Sequence, residues 1–394
     1  MTVTNIPITK PVLGAEELEA LRAPIEAGWV VQGPQVAEFE RRFAEYCGAP
    51  HAVASTSCTT ALHLVLAALG LGPGDEVIVP AFTWVSTANV VEYQGATPVF
   101  ADVDPTTFNI DPDAFAAAIT ERTVGVIPVH LFGLCAEMAP ILQIAERHGL
   151  WVLEDAACAF GAFYRGASAG MLGTAGAFSF HPRKSITTGE GGMVTTADDA
   201  LARKVAVLRD HGASRTDLSR HVGRAGFLLA DYDDLGFNYR MTDLQGAMGC
   251  VQMDRAPWIL EQRARVAATY GSLLAELDWI RPPVVPHDGH VHGWQSYVAL
   301  FAPEEPSVAN VEELTHRRNA AMMRLEEQGI ATRQGTHAPV GLGYYSRKYD
   351  LRMESFPGAL LSDRLSLSLP LYPQLTDDEI ERVVAALREA VEGS

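Results

Sequence analysis

The chain alternates short apolar runs with stretches of helical periodicity between residues 50 and 200. The run "AVAS" precedes a stretch in which Leu62, Val65, Leu66 and Leu69 recur at the spacing of one helix face. Further apolar runs are "GDEVIVPAFTW", "ATPVFADVD", "TVGVIPVHLFG", "LWVLEDAA", "GAFSF" and "GMVTT". Continuous apolar strands separated by helices are typical of a sheet that is covered on both faces. The pattern therefore predicts an α/β domain with a mostly parallel sheet.

The flanking segments have a different character. "QVAEFERRFAEYCG" predicts an amphipathic helix that ends at Gly48, and a long capped helix is predicted from Thr242. "SYVALFA" and "RLSLSLP" predict strands, and a last helix is predicted with its cap at Thr376. This change predicts a large α/β domain with an N-terminal helical segment, residues 1–255, followed by a smaller α+β domain, residues 256–394.

Composition and charge limit the class of partner. The 394 residues are 48% hydrophobic and carry a net charge of −18, which argues against nucleic acid or an anionic membrane surface as the main partner. The start of the chain lacks the regions of a signal peptide, and the longest apolar run is too short to span a bilayer. The five cysteines are scattered without metal-ligand spacing, so we expect a cytoplasmic protein with reduced thiols and no bound metal.

Three polar features are expected near the carboxyl ends of the strands, where open α/β sheets bind ligands. "STSCTTAL" turns from a strand into a helix, and the free N–H groups of such a turn suit a phosphate, although Ser and Thr also cap ordinary helices. Asp155 ends a buried strand, where its carboxylate needs a cation such as a protonated pyridine nitrogen or an arginine. Lys184 is one of four lysines against 26 arginines, and it could either bond to a carbonyl cofactor or lie at the surface.

A phosphate cradle, a strand-end acid and a lysine together meet the needs of pyridoxal 5′-phosphate. With these residues in view, the chain resembles the DegT/DnrJ/StrS-type sugar aminotransferases, which are PLP-dependent fold-type I enzymes of the aspartate aminotransferase superfamily. The resemblance covers nearly the whole chain and rests on "GDEVIVPAFTWVSTANVV", "EDAACAFGA", "FSFHPRKSITTGEGGMVTT" and "GFNYRMTDLQGAMG". It implies a mostly parallel seven-stranded sheet in the large domain and a smaller C-terminal α+β domain.

The resemblance implies a role for each matching residue. Lys184 would form a Schiff base with the cofactor and then move the proton of the substrate, as a base whose pKa lies near neutral once the amine is free. Asp155 would pair with the pyridine nitrogen, and Trp84 would stack on the ring, although it could equally be a core side chain. The phosphate contacts would come from Cys58, Thr59 and Ser179, and from Asn238 of the neighbouring subunit. That arrangement implies a homodimer with two shared active sites.

Two positions depart from the pattern of the family. Cys158 stands where many relatives have Gln or His bonding to the phenolic oxygen of the cofactor, and cysteine is a weak donor. "SCTTAL" also replaces the commoner "SGTAAL" or "NGTAAL", so the glycine of the cradle is absent. In contrast, relatives that act as sugar 3-dehydratases carry His in place of Lys184, so the lysine favours transamination.

The implied reaction moves an amino group from an amino acid, most often L-glutamate, to a keto sugar. The acceptor would be a nucleotide-linked 3- or 4-keto-deoxysugar of bacterial glycan or antibiotic sugar biosynthesis. An anionic nucleotide would need local positive charge, and the candidate substrate residues are His181, Arg240, Arg333 and His337. Two alternatives stay open: an aminotransferase for a carbocyclic or other non-nucleotide ketone, and a PLP-binding regulatory protein.

Overall fold

A computed structural model describes residues 5–214, 230–286 and 289–392, and thirteen strands lie within them. In chain order, the strands are β1 His51–Ser55, β2 Glu76–Pro80, β3 Thr97–Ala101, β4 Thr123–Val126, β5 Trp151–Asp155, β6 Phe163–Tyr164, β7 Ala167–Ser168, β8 Ala175–Ser179, β9 Gly192–Thr196, β10 Ile280–Arg281, β11 His290–Val291, β12 Tyr297–Phe301 and β13 Ser366–Leu369. Seven of them form one sheet in the order β1-β9-β8-β5-β4-β2-β3. Only β9 runs antiparallel to its two neighbours, so the mostly parallel seven-stranded sheet is confirmed.

Helices cover this sheet and extend beyond it. In chain order, the helices of the described residues are α1 Ala15–Ala20, α2 Arg22–Ala27, α3 Pro34–Cys47, α4 Cys58–Ala68, α5 Ser86–Tyr93, α6 Pro112–Ala117, α7 Met138–His148, α8 Asp199–Arg209, α9 Asp243–Leu274, α10 Val311–Glu327, α11 Gly343–Lys348, α12 Pro357–Leu365 and α13 Asp377–Glu392. Short 3-10 turns occupy Leu131–Gly133, Pro339–Gly341 and Met353–Ser355.

Both faces of the sheet are buried, which explains the continuous apolar runs of its strands. On β2, the side chains of Val77 and Val79 join the hydrophobic cluster beneath α4, α5 and α8. Ile78 lies between them and joins the cluster beneath α3, α7 and the first half of α9. Because successive side chains of a strand point to opposite faces, a strand packed on both sides has no polar alternation.

The ends of the strands position the polar residues of interest. Asp155 is the last residue of β5 and Ser179 is the last residue of β8, and these two strands are parallel neighbours. β9 begins at the same edge, where Gly192 is paired with both Ser55 and Ser179. Ser55 ends β1, and the chain enters α4 three residues later, so the start of α4 lies at this edge too.

A third hydrophobic cluster gathers around the three-stranded sheet β10-β12-β13, with side chains from α10, α13 and the second half of α9. Residue 255, our predicted boundary, falls inside α9, which runs unbroken past Pro257. Ile259 still packs in the large-domain cluster, whereas Val266 packs in the small one. Since a single helix serves both clusters, the division at residue 255 stays a prediction.

Candidate active site

The carboxylate of Asp155 is buried at the end of β5, with 3% of the residue exposed. Its Oδ2 accepts a hydrogen bond from Thr87 Oγ1 at 2.8 Å, and its Oδ1 accepts one from the backbone N–H of Ala157 at 3.2 Å. Burial raises the pKa of Asp155, and these two donors oppose that rise. No arginine of the described residues forms an ion pair with Asp155, and the nearby amine of Lys184 is a positive charge that lowers its pKa.

Lys184 lies in the turn that follows β8. Its backbone N–H donates to the carbonyl of His181 at 2.8 Å, and its Nζ donates to Cys158 Sγ at 3.0 Å. Burial disfavours the charged amine, but the neighbouring thiols and the carboxylate of Asp155 outweigh burial and raise the pKa of Lys184. Without cofactor the ammonium form of Lys184 is thus stabilised by its acidic neighbours, and the near-neutral pKa expected for the amine during catalysis stays a prediction.

The first turn of α4 offers two backbone donors. Ser57 caps the helix: its Oγ accepts from the N–H of Thr60 at 3.2 Å, and its own N–H donates to Thr60 Oγ1 at 2.9 Å. The N–H groups of Cys58 and Thr59 meet no acceptor within the described parts of the chain. Orphan N–H groups at the start of a helix bind anions, and the helix dipole adds to that attraction.

The thiol of Cys58 faces the sheet and not the free end of α4. It lies 3.4 Å from the carbonyl oxygen of Ala177 and 3.9 Å from Asp155 Oδ1. Because the sulfur is engaged there, the backbone N–H of Cys58, and not its thiol, is the donor that remains for the predicted phosphate contact. Ser179 Oγ accepts from the N–H of His181 at 3.4 Å and keeps its own hydroxyl proton for another acceptor.

Trp84 is not a core residue. Its side chain stands in the loop after β2, where 59% of the residue is exposed. The centre of its ring system lies 6.1 Å from that of His337, at an interplanar angle of 37°, and the N–H of Thr83 donates to the carbonyl of His337 at 3.0 Å. The structure therefore brings Trp84 and His337 together and leaves an aromatic face open.

The arginine candidates differ in how much charge they can offer. Arg240 donates to Asp210 Oδ1 at 2.6 Å in a largely buried ion pair, so its charge is already balanced. Arg333 is held through its backbone by Ser368, and it borders a cavity of about 630 Å³ beside α10. That cavity is lined by neither Lys184 nor Asp155, and we do not take it as the active site.

Arg183 is a cation beside Lys184 that the sequence analysis did not single out. Burial lowers its pKa, and the positive charge of Arg333 lowers it further, so the two guanidinium groups share one region. The ring of His181 contributes to the same turn, because its Nδ1 accepts from the backbone N–H of Arg183 at 3.2 Å. No spacing or periodicity marks Arg183 in the sequence, where it is one of 26 arginines.

Asn238 forms no hydrogen bond with Asp155, Lys184 or the start of α4 in the described part of the chain. It is exposed, and its backbone forms a bridge with Asp210 at the end of α8. Its side-chain amide meets no partner among the described residues, so it is available to a group outside this chain.

Two buried residues that the sequence did not predict hold Asp155 and Lys184 in position. Thr87, in the first turn of α5, holds Asp155 through the hydrogen bond described above. Arg263 of α9 is 1% exposed, and it donates to the carbonyl oxygens of Trp294 and Gln295 at 3.1 Å and of Lys184 at 3.5 Å. Arg263 therefore ties the turn of Lys184 to the second half of the chain.

Together these groups form one site at the carboxyl edge of the sheet. Orphan N–H groups suit a phosphate, a buried carboxylate suits a ring cation, an amine suits a carbonyl, and an open aromatic face suits a flat ring. These are the parts of pyridoxal 5′-phosphate, and the residues present fit it.

Within the described residues, no cluster of three or more His, Cys, Asp or Glu is placed to hold a metal ion. None of the described helices combines the length and apolar character needed to cross a membrane.

Comparison with known proteins agrees with this geometry. Residues 11–388 match the model of the DegT/DnrJ/EryC1/StrS aminotransferase family. The chain is 40% identical over 391 residues to the spore coat polysaccharide biosynthesis protein SpsC of Bacillus subtilis, covering 99% of this chain and 98% of SpsC. It is 41% identical over 391 residues to the GDP-perosamine synthase of Caulobacter vibrioides, covering 98% of each.

A solved structure shows the same fold over the full length. Spr1654 from Streptococcus pneumoniae, in its PLP form, superposes with a TM-score of 0.90 at 29% identity, covering 99% of each chain. Its PMP form superposes with a TM-score of 0.91. Family match, relatives and fold agree along nearly the whole chain. The chain belongs to the DegT/DnrJ/EryC1/StrS aminotransferase family, and it is an aminotransferase that uses pyridoxal 5′-phosphate.

Proposed function

We propose that this enzyme transfers an amino group from L-glutamate to a keto sugar linked to a nucleoside diphosphate, at carbon 3 or 4 of a deoxysugar. One observation carries the proposal: the amine of Lys184, the carboxylate of Asp155 and the orphan N–H groups of α4 meet at one edge of the sheet. Among the relatives, one is a GDP-perosamine synthase and another is a spore coat polysaccharide biosynthesis protein, which supports a nucleotide-linked sugar of bacterial glycans. The free cysteines, five in number, favour a cytoplasmic site of action.

The bound cofactor supplies an electron sink for the carbon from which a proton is removed. We assign Lys184 as the residue to which its aldehyde is bonded, and as the base that moves the substrate proton when the amine is free. Asp155 keeps the ring nitrogen protonated, and Thr87 holds the carboxylate in position. Trp84 covers a face of the ring, and Cys158 lies within reach of the lysine.

The phosphate is held by the start of α4. We assign the N–H groups of Cys58 and Thr59 and the hydroxyl of Ser179 to it, because these donors are uncommitted at the same edge. For the anionic acceptor, Arg333 and its neighbour Arg183 supply positive charge, and His337 lies beside Trp84. Arg240 is a weaker candidate, because Asp210 already balances its charge.

The active unit is proposed to be a homodimer in which Asn238 of each chain reaches the phosphate site of the other. Asn238 is exposed, and its amide has no partner among the described residues. Exposed apolar side chains near it and on the N-terminal helices support a second copy as the covering partner: Leu235 is 93% exposed, Leu18 73% and Ile25 60%.

Reduction of the purified holoenzyme tests the central assignment. Borohydride should fix the cofactor to a single peptide, and that peptide should contain Lys184. L-glutamate should bleach the yellow colour before reduction, and the glutamate-treated protein should then resist labelling. Lys184→Ala should show neither labelling nor bleaching by glutamate, whereas Lys204→Ala, a lysine on α8, should behave as wild type.

Two outcomes would redirect the proposal. A cofactor that is attached elsewhere, or that glutamate leaves unchanged, would contradict the assignment of Lys184 and favour a regulatory PLP-binding protein. Bleaching by glutamate without turnover of any nucleotide-linked keto sugar, combined with turnover of a carbocyclic ketone, would contradict the sugar acceptor and keep the aminotransferase.

A further inference from the structure

The amine of Lys184 donates a hydrogen bond to the thiol of Cys158, at a position where the family pattern has Gln or His. Nζ lies 3.0 Å from Sγ, and the sulfur belongs to the turn that follows Asp155. This turn is fixed at three points: the N–H of Ala156 donates to the carbonyl of Ala177, the N–H of Ala157 donates to Asp155, and the N–H of Ala159 donates to the carbonyl of Ala156. The sulfur is thus presented to the amine by a rigid segment.

The other groups around the amine do not offer an equivalent contact. The titratable and charged groups around Lys184 in the described residues are Cys158, Cys58, Asp155, His181, Arg263 and the adjacent Arg183. The carboxylate of Asp155 is engaged with Thr87 and Ala157, and the thiol of Cys58 faces the sheet. Arg263 donates to the backbone carbonyl of Lys184 and not to its side chain.

A buried amine that is not bonded to a cofactor needs a partner, because an isolated ammonium is costly to bury. A thiol can provide more than the amide of Gln, since it can give its proton to the amine and remain as a thiolate beside the ammonium. The proton moves from Sγ to Nζ, and no other bond changes.

We propose that Cys158 is the proton partner and positioning residue of Lys184, holding the amine in place whenever it is not bonded to the cofactor. This inference rests on the proposed function, in which Lys184 is bonded to the cofactor for part of the catalytic cycle. In this role the cysteine would help to set the lowest pH at which the enzyme is active. The family pattern has Gln or His at this position.

The first test measures the thiol in full-length protein freed of cofactor. Cys158 should react with iodoacetamide at pH 7 about tenfold faster in wild type than in Lys184→Met, because the ammonium of Lys184 favours the nucleophilic thiolate. The labelled peptides are resolved by mass spectrometry. Cys47 serves as internal control, since burial raises its pKa to about 12 and its slow reaction should be equal in both proteins. Equal rates at Cys158 in the two proteins would overturn the proposal.

The second test measures the pH dependence of the reaction between the amine-loaded enzyme and 2-oxoglutarate, in which Lys184 starts free. Cys158→Ala and Cys158→Ser remove the group that stabilises the ammonium, so the acid limb of kcat/KM should move to lower pH by about one unit. Cys47→Ala should leave that limb in place. A lower rate without any displacement of the limb would mean that Cys158 is merely structural, and it would overturn the proposal.

The two tests separate this inference from the proposed function. If borohydride fixes the cofactor to another residue while Lys184 still controls the alkylation of Cys158, the pairing stands and the assignment of Lys184 falls. If the cofactor is fixed to Lys184 but neither the alkylation rate nor the acid limb responds, the pairing falls and the aminotransferase stands.

Discussion

At the scale of a single residue, the buried carboxylate of Asp155 lowers the stability of the folded chain and at the same time offers a negative charge to a bound cation. Its carboxylate is buried, and the two donors that it accepts from do not bring the pKa down to the ordinary aspartate range. Ionising it therefore costs folding free energy that a bound cation would return. We therefore expect Asp155 to serve the bound cofactor and not the stability of the chain.

Asp155→Asn is expected to stabilise the protein freed of cofactor and to disable the holoenzyme. Because the pKa of Asp155 is raised by folding, the cost of ionisation is present above the folded pKa and absent at acidic pH. The melting temperature of the variant at pH 7.5 should exceed that of wild type by about 1 °C for each kcal/mol recovered in a chain of this length, and this gain should disappear as the pH falls below about 4. The half-reaction with L-glutamate should slow by about 10²–10³-fold.

A matched control is Asp198→Asn. Asp198 caps α8 and accepts from the N–H of Ala200 at 2.7 Å in an exposed position, and Asn caps helices as well as Asp does. Melting temperature and half-reaction should therefore stay near wild type. A lower melting temperature for Asp155→Asn at pH 7.5, or an unchanged half-reaction, would contradict the assignment.

The residues that could be predicted from the sequence are those with an unusual position or frequency. Asp155 ends an apolar strand, and Lys184 is one of four lysines, so both stand out in the sequence alone. Thr87 and Arg263 do not, because a threonine in a helix and an arginine among 26 are ordinary. Their importance comes from contacts across the fold, and no local pattern encodes such contacts.

At the scale of elements, the start of α4 depends on its approach to β9. A Cβ added to Gly192 would lie 2.3 Å from the carbonyl oxygen of Ser57 and 2.7 Å from the N–H nitrogen of Cys58. Gly192 is thus required for the close packing of β9 against the start of α4. The two elements together determine where the orphan N–H groups lie.

Gly192→Ala is therefore expected to displace the start of α4 and to weaken cofactor binding. Overpacking of this kind costs about 1–3 kcal/mol, and 1.4 kcal/mol at the phosphate site corresponds to about a tenfold rise in the Kd for pyridoxal 5′-phosphate. Titration of the protein freed of cofactor, followed by absorbance, measures that Kd. In Gly72→Ala the new Cβ meets nothing within 4 Å, so the Kd should not change. A Kd for Gly192→Ala equal to that of Gly72→Ala would exclude the packing argument.

Elements with strong local signals were predictable, and short ones were not. The capping boxes expected at Thr242 and Thr376 are confirmed by their hydrogen bonds with Gln245 and Glu379. The pairs of residues that form β6, β7, β10 and β11 are too short to show any periodicity, and they exist because neighbouring segments pair with them.

At the scale of the whole molecule, the net charge is negative, whereas one local region is positively charged. The chain carries a net charge of −18, yet Arg183, which adjoins Lys184 in the sequence, lies close enough to Arg333 for that charge to lower the pKa of Arg183. An acidic protein can thus offer a basic entrance to a small anion while discouraging binding to nucleic acid. The acceptor could not be predicted beyond its class, because its choice depends on how loops from distant parts of the chain meet.

The proposed homodimer makes a prediction that concerns two chains together. If Asn238 serves the site of the neighbouring subunit, Lys184→Ala and Asn238→Asp disable different halves of one composite site. The second change puts a negative charge beside the bound phosphate. Mixing the two variants one to one should make half of the dimers mixed, and each mixed dimer should contain one intact site. Activity should then return to about a quarter of the wild-type value.

Lys184→Ala mixed with Asp155→Asn is the matched control for this experiment. Both changes fall on the site of their own chain, so every site of the mixed dimer lacks one of the two residues, and no activity should return. Each variant alone should likewise be inactive, or nearly so in the case of Asn238→Asp. Recovery in the first mixture alone would establish that Asn238 acts across the interface, because a site within one chain cannot be rebuilt by exchanging partners. Absence of recovery in both mixtures would contradict the shared site and would place the effect of Asn238→Asp in the site of its own chain.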